Sequence, residues 1–221
     1  MTPCEENIAS MMTDMFNFGQ ENPYRVFNTM VNNYFFDTFN LHGPADYLTQ
    51  SLGTDADYYL RCYMRDLVMG TMVYWLTAGI WSFFEFFVLR EKLFTNKGRQ
   101  FPTWDCMVDQ ICLAQSSLLI YAGLPVISEF LIESGVTHAY FYVSDVGGWP
   151  YYFLYFFIYL AIVEVGVYWV HRTLHTNKFL YKYVHGLHHK YNTQQMMTPW
   201  CSIAFNPIDG MFQVISFLST V

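Results

Sequence analysis

Charge is scarce in this sequence. Asp, Glu, Lys and Arg supply only 13% of 221 residues, about half of what an ordinary soluble domain carries. Bases are scarcest at the front, where residues 1–60 hold eight acidic residues and the single base Arg25. With a net charge of −7 and no basic stripe, the chain offers no surface for a phosphate backbone, and no nucleic-acid partner is expected. The first residues, MTPCEENIAS, lack a basic start followed by an apolar run, so no cleavable signal peptide is expected. Paired cysteines are lacking too. Cys4, Cys62, Cys106, Cys112 and Cys201 are odd in number, scattered and without CxxC spacing, which excludes a disulfide scaffold and reads as ordinary thiols.

Apolar residues are abundant: 53% of the chain is hydrophobic and 20% aromatic. Three apolar segments are long enough to cross a hydrocarbon core, which takes about 20 helical residues. They run roughly over 67–89, 111–132 and 151–170. Glu85 lies in the first, Pro125 and Glu129 in the second, and Glu164 in the third. Because a charge exposed at mid-membrane is costly, these groups are expected to face protein or lie near an end. A fourth apolar stretch starts near Ile203 and is interrupted by Asn206, Pro207, Asp209 and Gly210. The tyrosines and phenylalanines of 151–159, with the Tyr168-Trp169 pair, read as an interfacial belt and lipid-facing packing.

Short cytoplasmic loops are rich in Lys and Arg. Arg90, Lys92, Lys97 and Arg99 follow the first segment, and Arg172, Lys178, Lys182 and Lys190 follow the third. The loop between Glu133 and Pro150 has Asp145 and no base. The expectation is an all-α, polytopic membrane helix bundle with a histidine-rich metal site on its cytoplasmic side. Residues 1–60, which mix Asn, Asp, Gly, Pro and Phe without sustained periodicity, form a non-cytoplasmic region of loops and short amphipathic helices near the interface. Residues 61–221 form the membrane-embedded domain.

Five of seven histidines fall within nineteen residues: His171, His175, His185, His188 and His189. His171 and His175 share a helix face, and offsets of zero, three and four predict the same for His185, His188 and His189. Each group can aim imidazole nitrogens at one point, and imidazole is a common ligand for iron, zinc and copper. A histidine run that binds headgroups or senses pH is the alternative. The third apolar segment runs into His171, which places the first pair on an extension of that helix. Glu164 is two turns before His171 on the same face, either as a partner that orients an imidazole or as a polar contact inside the bundle. His42 and His138 stand alone and read as surface or packing residues.

His171-Arg-Thr-Leu-His175 followed by His185-Gly-Leu-His188-His189 resembles the HxxxH and HxxHH boxes of the fatty acid hydroxylase and sterol desaturase superfamily. Leu180-Tyr181-Lys182, Lys190, Thr198-Pro199 and Ala204-Phe205-Asn206-Pro207-Ile208-Asp209-Gly210 resemble its sterol C-5 desaturase (lathosterol oxidase) branch. The resemblance covers about residues 60–221 and is sharpest over 164–210. It implies a multi-pass enzyme of the endoplasmic reticulum with a di-iron (Fe) centre, its ligands the five histidines of the two boxes. It further implies O2 as cosubstrate, electrons from cytochrome b5 and its reductase, and a C5–C6 double bond placed in a Δ7-sterol. A sterol C-4 methyl oxidase or a fatty acid hydroxylase shares both boxes and is the alternative within the superfamily. Two departures stand out. Val221 comes before the further HxxHH box of the family, and Asn206 occupies a position where the family's motif has histidine. Asn206 is therefore carried, with Glu164, as a group behind the ligands. A piece of a longer enzyme is the expected reading, and a non-catalytic sterol-binding or partner protein is the alternative.

Overall fold

A computed structural model of the protein describes residues 22–49, 53–95, 100–137, 140, 142–187, 189–193 and 197–218. Cys4, Lys97, Arg99, His138 and His188 lie outside the described residues. Every regular element among the described residues is helical, and three helical stretches are long and apolar enough to cross a membrane. The all-α, polytopic reading holds.

Local signals explain the helix ends. Helix α1 (Pro23–Phe39) starts with Asn22, whose side chain accepts from the Tyr24 N–H, and with proline at the first helical position, where no donor is lost. It ends at Asn40 in the left-handed region, φ 52°, a conformation that asparagine tolerates better than most residues. Helix α2 (His42–Thr49) follows directly, and the His42 ring meets Asp37 at 2.9 Å.

The first long helix, α3 (Thr54–Phe83), continues through a π turn to Val88, and so begins well before the apolar run expected from Leu67. The second expected span is interrupted at Ala122 into α4 (Trp104–Tyr121) and α5 (Gly123–Glu133). Pro125 falls in the first turn of α5, where its missing N–H has no intrahelical partner to lose. The third, α6 (Trp149–Thr176), is continuous and carries both His171 and His175. It is preceded by Gly147 and Gly148 at φ 88° and 99°, a backbone that needs glycine.

The chain forms two compact units. One is built from residues up to Asp66 and from Leu124–Phe153. Its centre is polar: Arg65 reaches Asn32 at 3.0 Å, Asp66 at 2.9 Å and Glu129 at 2.7 Å. Tyr58 and Tyr59 both donate to Glu133, at 2.5 and 2.9 Å. Glu129 thus faces protein, as the cost of an exposed membrane charge requires.

The other unit comprises Leu67–Gly123 and the chain from Leu154 on. Its core is Tyr74, Ala78, Ala114, Leu118, Tyr191 and Ala204. Helix α4 is its spine, with Gln110, Ala114, Ser117 and Leu118 buried at helical spacing. The polar members of that face hold the segment after the histidines: Gln110 accepts from the Thr198 hydroxyl, and Ser117 donates to the Phe205 carbonyl at 2.8 Å. Tyr74 donates to the Trp200 carbonyl at 2.8 Å. In α6, by contrast, Val163 and Leu174 are the buried residues, and aromatic side chains such as Phe153, Phe157 and Trp169 are exposed, as lipid-facing positions are.

Candidate metal centre

Four histidines come together in the second unit. Helix α6 presents His171 and His175 one turn apart, with their Nε2 atoms 3.1 Å from each other. After His175 the helix cannot simply continue. Asn177 leaves the helical conformation at ψ 112° and its side chain accepts from the N–H groups of Phe179 and Leu180, which starts the short helix α7 (Lys178–Leu180). A π turn over Tyr181–His185 follows, and this reversal brings His185 back onto the first pair. Its Nε2 lies 3.1 Å from that of His175.

The expectation of one shared helix face for the second histidine group is corrected here. His185 closes the π turn, Gly186 and Leu187 form a turn, and helix α8 (Lys190–Thr193) begins only after His189. Gly186 is confined: a Cβ there would lie 2.9 Å from the Tyr181 carbonyl oxygen. His189 nevertheless points inward, its Nε2 3.0 Å from that of His185 and 3.3 Å from that of His175. Lys190 and Tyr191 hold it there by donating to Asp109 of α4, at 2.5 and 2.8 Å. Burial, and then the bond to Asp109, push the Tyr191 phenol above its ordinary value, so it remains a proton donor.

The ligand atoms of His171, His175, His185 and His189 all lie within 4.8 Å of one another. Ordinary hydrogen bonding cannot satisfy this arrangement, because His175 Nε2 has three imidazole nitrogens within 3.3 Å and carries one proton at most. A cation at the centre does satisfy it. Two nitrogens each ~2.1 Å from one metal ion are roughly 3.0 Å apart at a right angle and roughly 3.4 Å apart at the tetrahedral angle; the His171–His175, His175–His185, His175–His189 and His185–His189 spacings run from 3.0 to 3.3 Å, within a set that spans 4.8 Å. The four histidines are thus a candidate donor set for a metal ion. Neutral imidazole suits iron, copper, nickel or zinc.

One residue at the site was not expected. The carboxylate of Asp209, in helix α9 (Pro207–Leu218), meets His185 Nδ1 at 2.7 Å with both side chains fully buried. Sequence reasoning passed over it as part of an interrupted apolar stretch, although an acid in such a stretch is itself a functional signal. Asn206 sits just before α9, accepts from the Ile208 N–H at 3.0 Å and donates to the Tyr183 carbonyl at 3.3 Å, so it caps the helix that carries Asp209. Glu164 is exposed on α6. Cys62, Cys106, Cys112 and Cys201 form no disulfide among the described residues, and burial raises the Cys201 pKa and keeps that thiol neutral.

Residues 156–221, which carry all four converging imidazoles, match the Fatty acid hydroxylase family model. Among curated proteins the chain is similar to sterol C-5 desaturases. It is 38% identical to a Δ7-sterol C5(6)-desaturase of Nicotiana tabacum over 71% of this chain and 56% of that protein. It is 36% identical to a Δ7-sterol 5(6)-desaturase of Aspergillus fumigatus over 47% of this chain and 31% of that protein. It is 33% identical to the lathosterol oxidase of Rattus norvegicus over 45% of this chain and 32% of that protein. The chain spans about half the length of the first of these relatives. No solved structure matches it at a significant level.

Proposed function

We propose that this chain is the metal-binding part of a sterol desaturase-like oxidoreductase that introduces the C5–C6 double bond into a Δ7-sterol. The observation that carries the reading is the convergence of four Nε2 atoms from two histidine boxes, on a chain similar to named Δ7-sterol desaturases. Removing hydrogen from an unactivated C–H bond is beyond any side chain, and iron held by these imidazoles, with O2, supplies that oxidising power. In the proposed reaction the sterol, O2, two electrons and two protons give the diene and two waters. Cytochrome b5 and its reductase are the electron donors in this reading, and the endoplasmic reticulum is its membrane. His171, His175, His185 and His189 hold the metal, and His188 is proposed with them. A second iron would need ligands besides these four imidazoles.

The chain's own residues set the site at the edge of the bilayer. Helix α6 has 28 residues and is about 42 Å long, exceeding the ~30 Å hydrocarbon core by about two turns of helix. Arg172 donates to the Tyr168 hydroxyl at 2.8 Å and lies over the Trp169 ring, the pattern of an interfacial belt. His171 and His175 are therefore proposed to stand at the water side, where a reductant can dock, while a flat apolar sterol approaches from the lipid.

The assay is direct. Membranes holding the protein as it occurs in its native chain, given a Δ7-sterol, O2 and a cytochrome b5 reducing system, are expected to yield product lighter by two hydrogens. Conversion at another carbon points to the C-4 oxidase or hydroxylase alternatives, and no conversion by iron-loaded protein sinks the enzymatic reading. Orientation is tested separately. An epitope beside Lys92 is expected to be reached by antibody from the cytoplasmic side, and one at Gly147 only after permeabilisation; the reverse pattern would move the histidines to the opposite face.

A further inference from the structure

We propose that Asp209 is a positioning residue for the metal centre, acting through His185. The 2.7 Å contact between Asp209 Oδ2 and His185 Nδ1 pairs a carboxylate acceptor with a ring N–H, which places the imidazole proton on Nδ1. That leaves the Nε2 lone pair of His185 directed at His175 and His189. A carboxylate behind a ligating histidine also makes the ring a stronger donor and fixes its rotation. The inference rests on the metal-centre reading above.

The carboxylate is itself held. Gln213, one turn further along α9, donates to Asp209 Oδ1 at 2.9 Å, so each oxygen has a partner and neither side chain of the pair sees solvent. The neighbouring residue explains how α9 comes near enough. A Cβ at Gly210 would lie 2.2 Å from the Tyr121 hydroxyl and 2.5 Å from the ring carbon that bears it, so a side chain at Gly210 would have to displace the Tyr121 ring where α9 packs against α4. Asp209 and Gly210 are thus one device: the glycine permits the approach and the acid uses it. A purely structural tie would ask only for a hydrogen bond at Asp209, whereas this role asks for an acceptor that selects one His185 tautomer.

The test uses the full chain in lipid nanodiscs. In metal-free protein labelled with 15N-histidine, His185 is expected as the Nδ1–H tautomer. Cobalt(II) titration is expected to show one strong site by its visible absorbance. Asp209→Ala is expected to lose the tautomer preference and to weaken cobalt binding about 10- to 100-fold, with Asp209→Glu restoring part of both. If Asp209→Ala loses helicity, Asp209→Asn keeps the shape and carries the test, its amide able to donate where the carboxylate could not. Variants that keep both tautomer and affinity overturn the role of Asp209. Wild-type protein with the Nδ1–H tautomer but no cobalt site overturns the metal-centre reading instead, and the positioning role with it.

Discussion

Replacing His175 by alanine is expected to remove bound metal from the site while leaving the fold as stable as before. The Nε2 of His175 is the hub of the cluster, within 3.1 Å of His171 and His185 and 3.3 Å of His189, so its loss opens the donor set from the middle. The effect should exceed the 10- to 100-fold cost of losing a group behind a ligand. Stability is expected to hold because His175 is exposed near the end of α6, alanine is the best helix former, and no buried partner is orphaned. His185→Ala makes the contrast. It removes a ring with no exposed surface and strands the buried Asp209 carboxylate, so it should cost both metal and stability. Metal per chain by elemental analysis, beside a thermal melt in micelles, separates the two variants. A His175→Ala protein that holds as much iron as wild type would dissolve the proposed ligand set.

Arg65→Ala is expected to cost about 3–5 kcal/mol, the usual penalty for breaking a buried ion pair by removing one partner. That is a large share of the roughly 5–15 kcal/mol that holds a domain together. The guanidinium, 8% exposed, serves acceptors from three helices: Asn32 in α1, Asp66 in α3 and Glu129 in α5. Asp66 Oδ2 and Glu129 Oε2 are already buried without a hydrogen-bond partner among the described residues. Removing Arg65 would leave two part-buried carboxylates without their counter-charge, which is why the expected loss is large. Lysine, a single point charge without the planar fork, should recover only part of it. Arg65→Leu combined with Glu129→Leu should be milder than Arg65→Ala, since it removes one of the stranded charges. Equilibrium unfolding in mixed micelles measures all three variants, and a loss under about 0.5 kcal/mol for Arg65→Ala would place the network among the energetically neutral surface pairs.

The membrane helices were legible because hydrophobicity summed over about 20 residues is a strong signal that needs no partner. The break at Ala122 was less so. Pro125 marks a helix start as well as a helix kink, and only the first-turn position chosen by the fold shows which. Asn177 carried a readable signal too, an N-cap residue directly after the first histidine box. Its consequence, a reversal that returns His185 to His175, depends on a π turn that periodicity cannot foresee. The second histidine group shows the limit plainly. Spacing put its members on one helix face, whereas the chain delivers His185 and His189 from two different turns to the same point.

By itself the sequence determined the solvent, the number of apolar helices and the clustering of histidines, together with the motifs that resemble sterol desaturases. Each of these is local, written in the hydrophobicity or the spacing of neighbouring residues. Only the tertiary structure decided that four Nε2 atoms share one centre, that Asp109 and Gln110 of α4 anchor the chain on either side of the 194–196 stretch, and that Asp209 stands behind His185 from 24 residues away. Those contacts join segments with no periodic relation to one another. They form because α4 buries one face and Gly210 lets α9 lie against it, a matter of packing between distant stretches that no local pattern encodes.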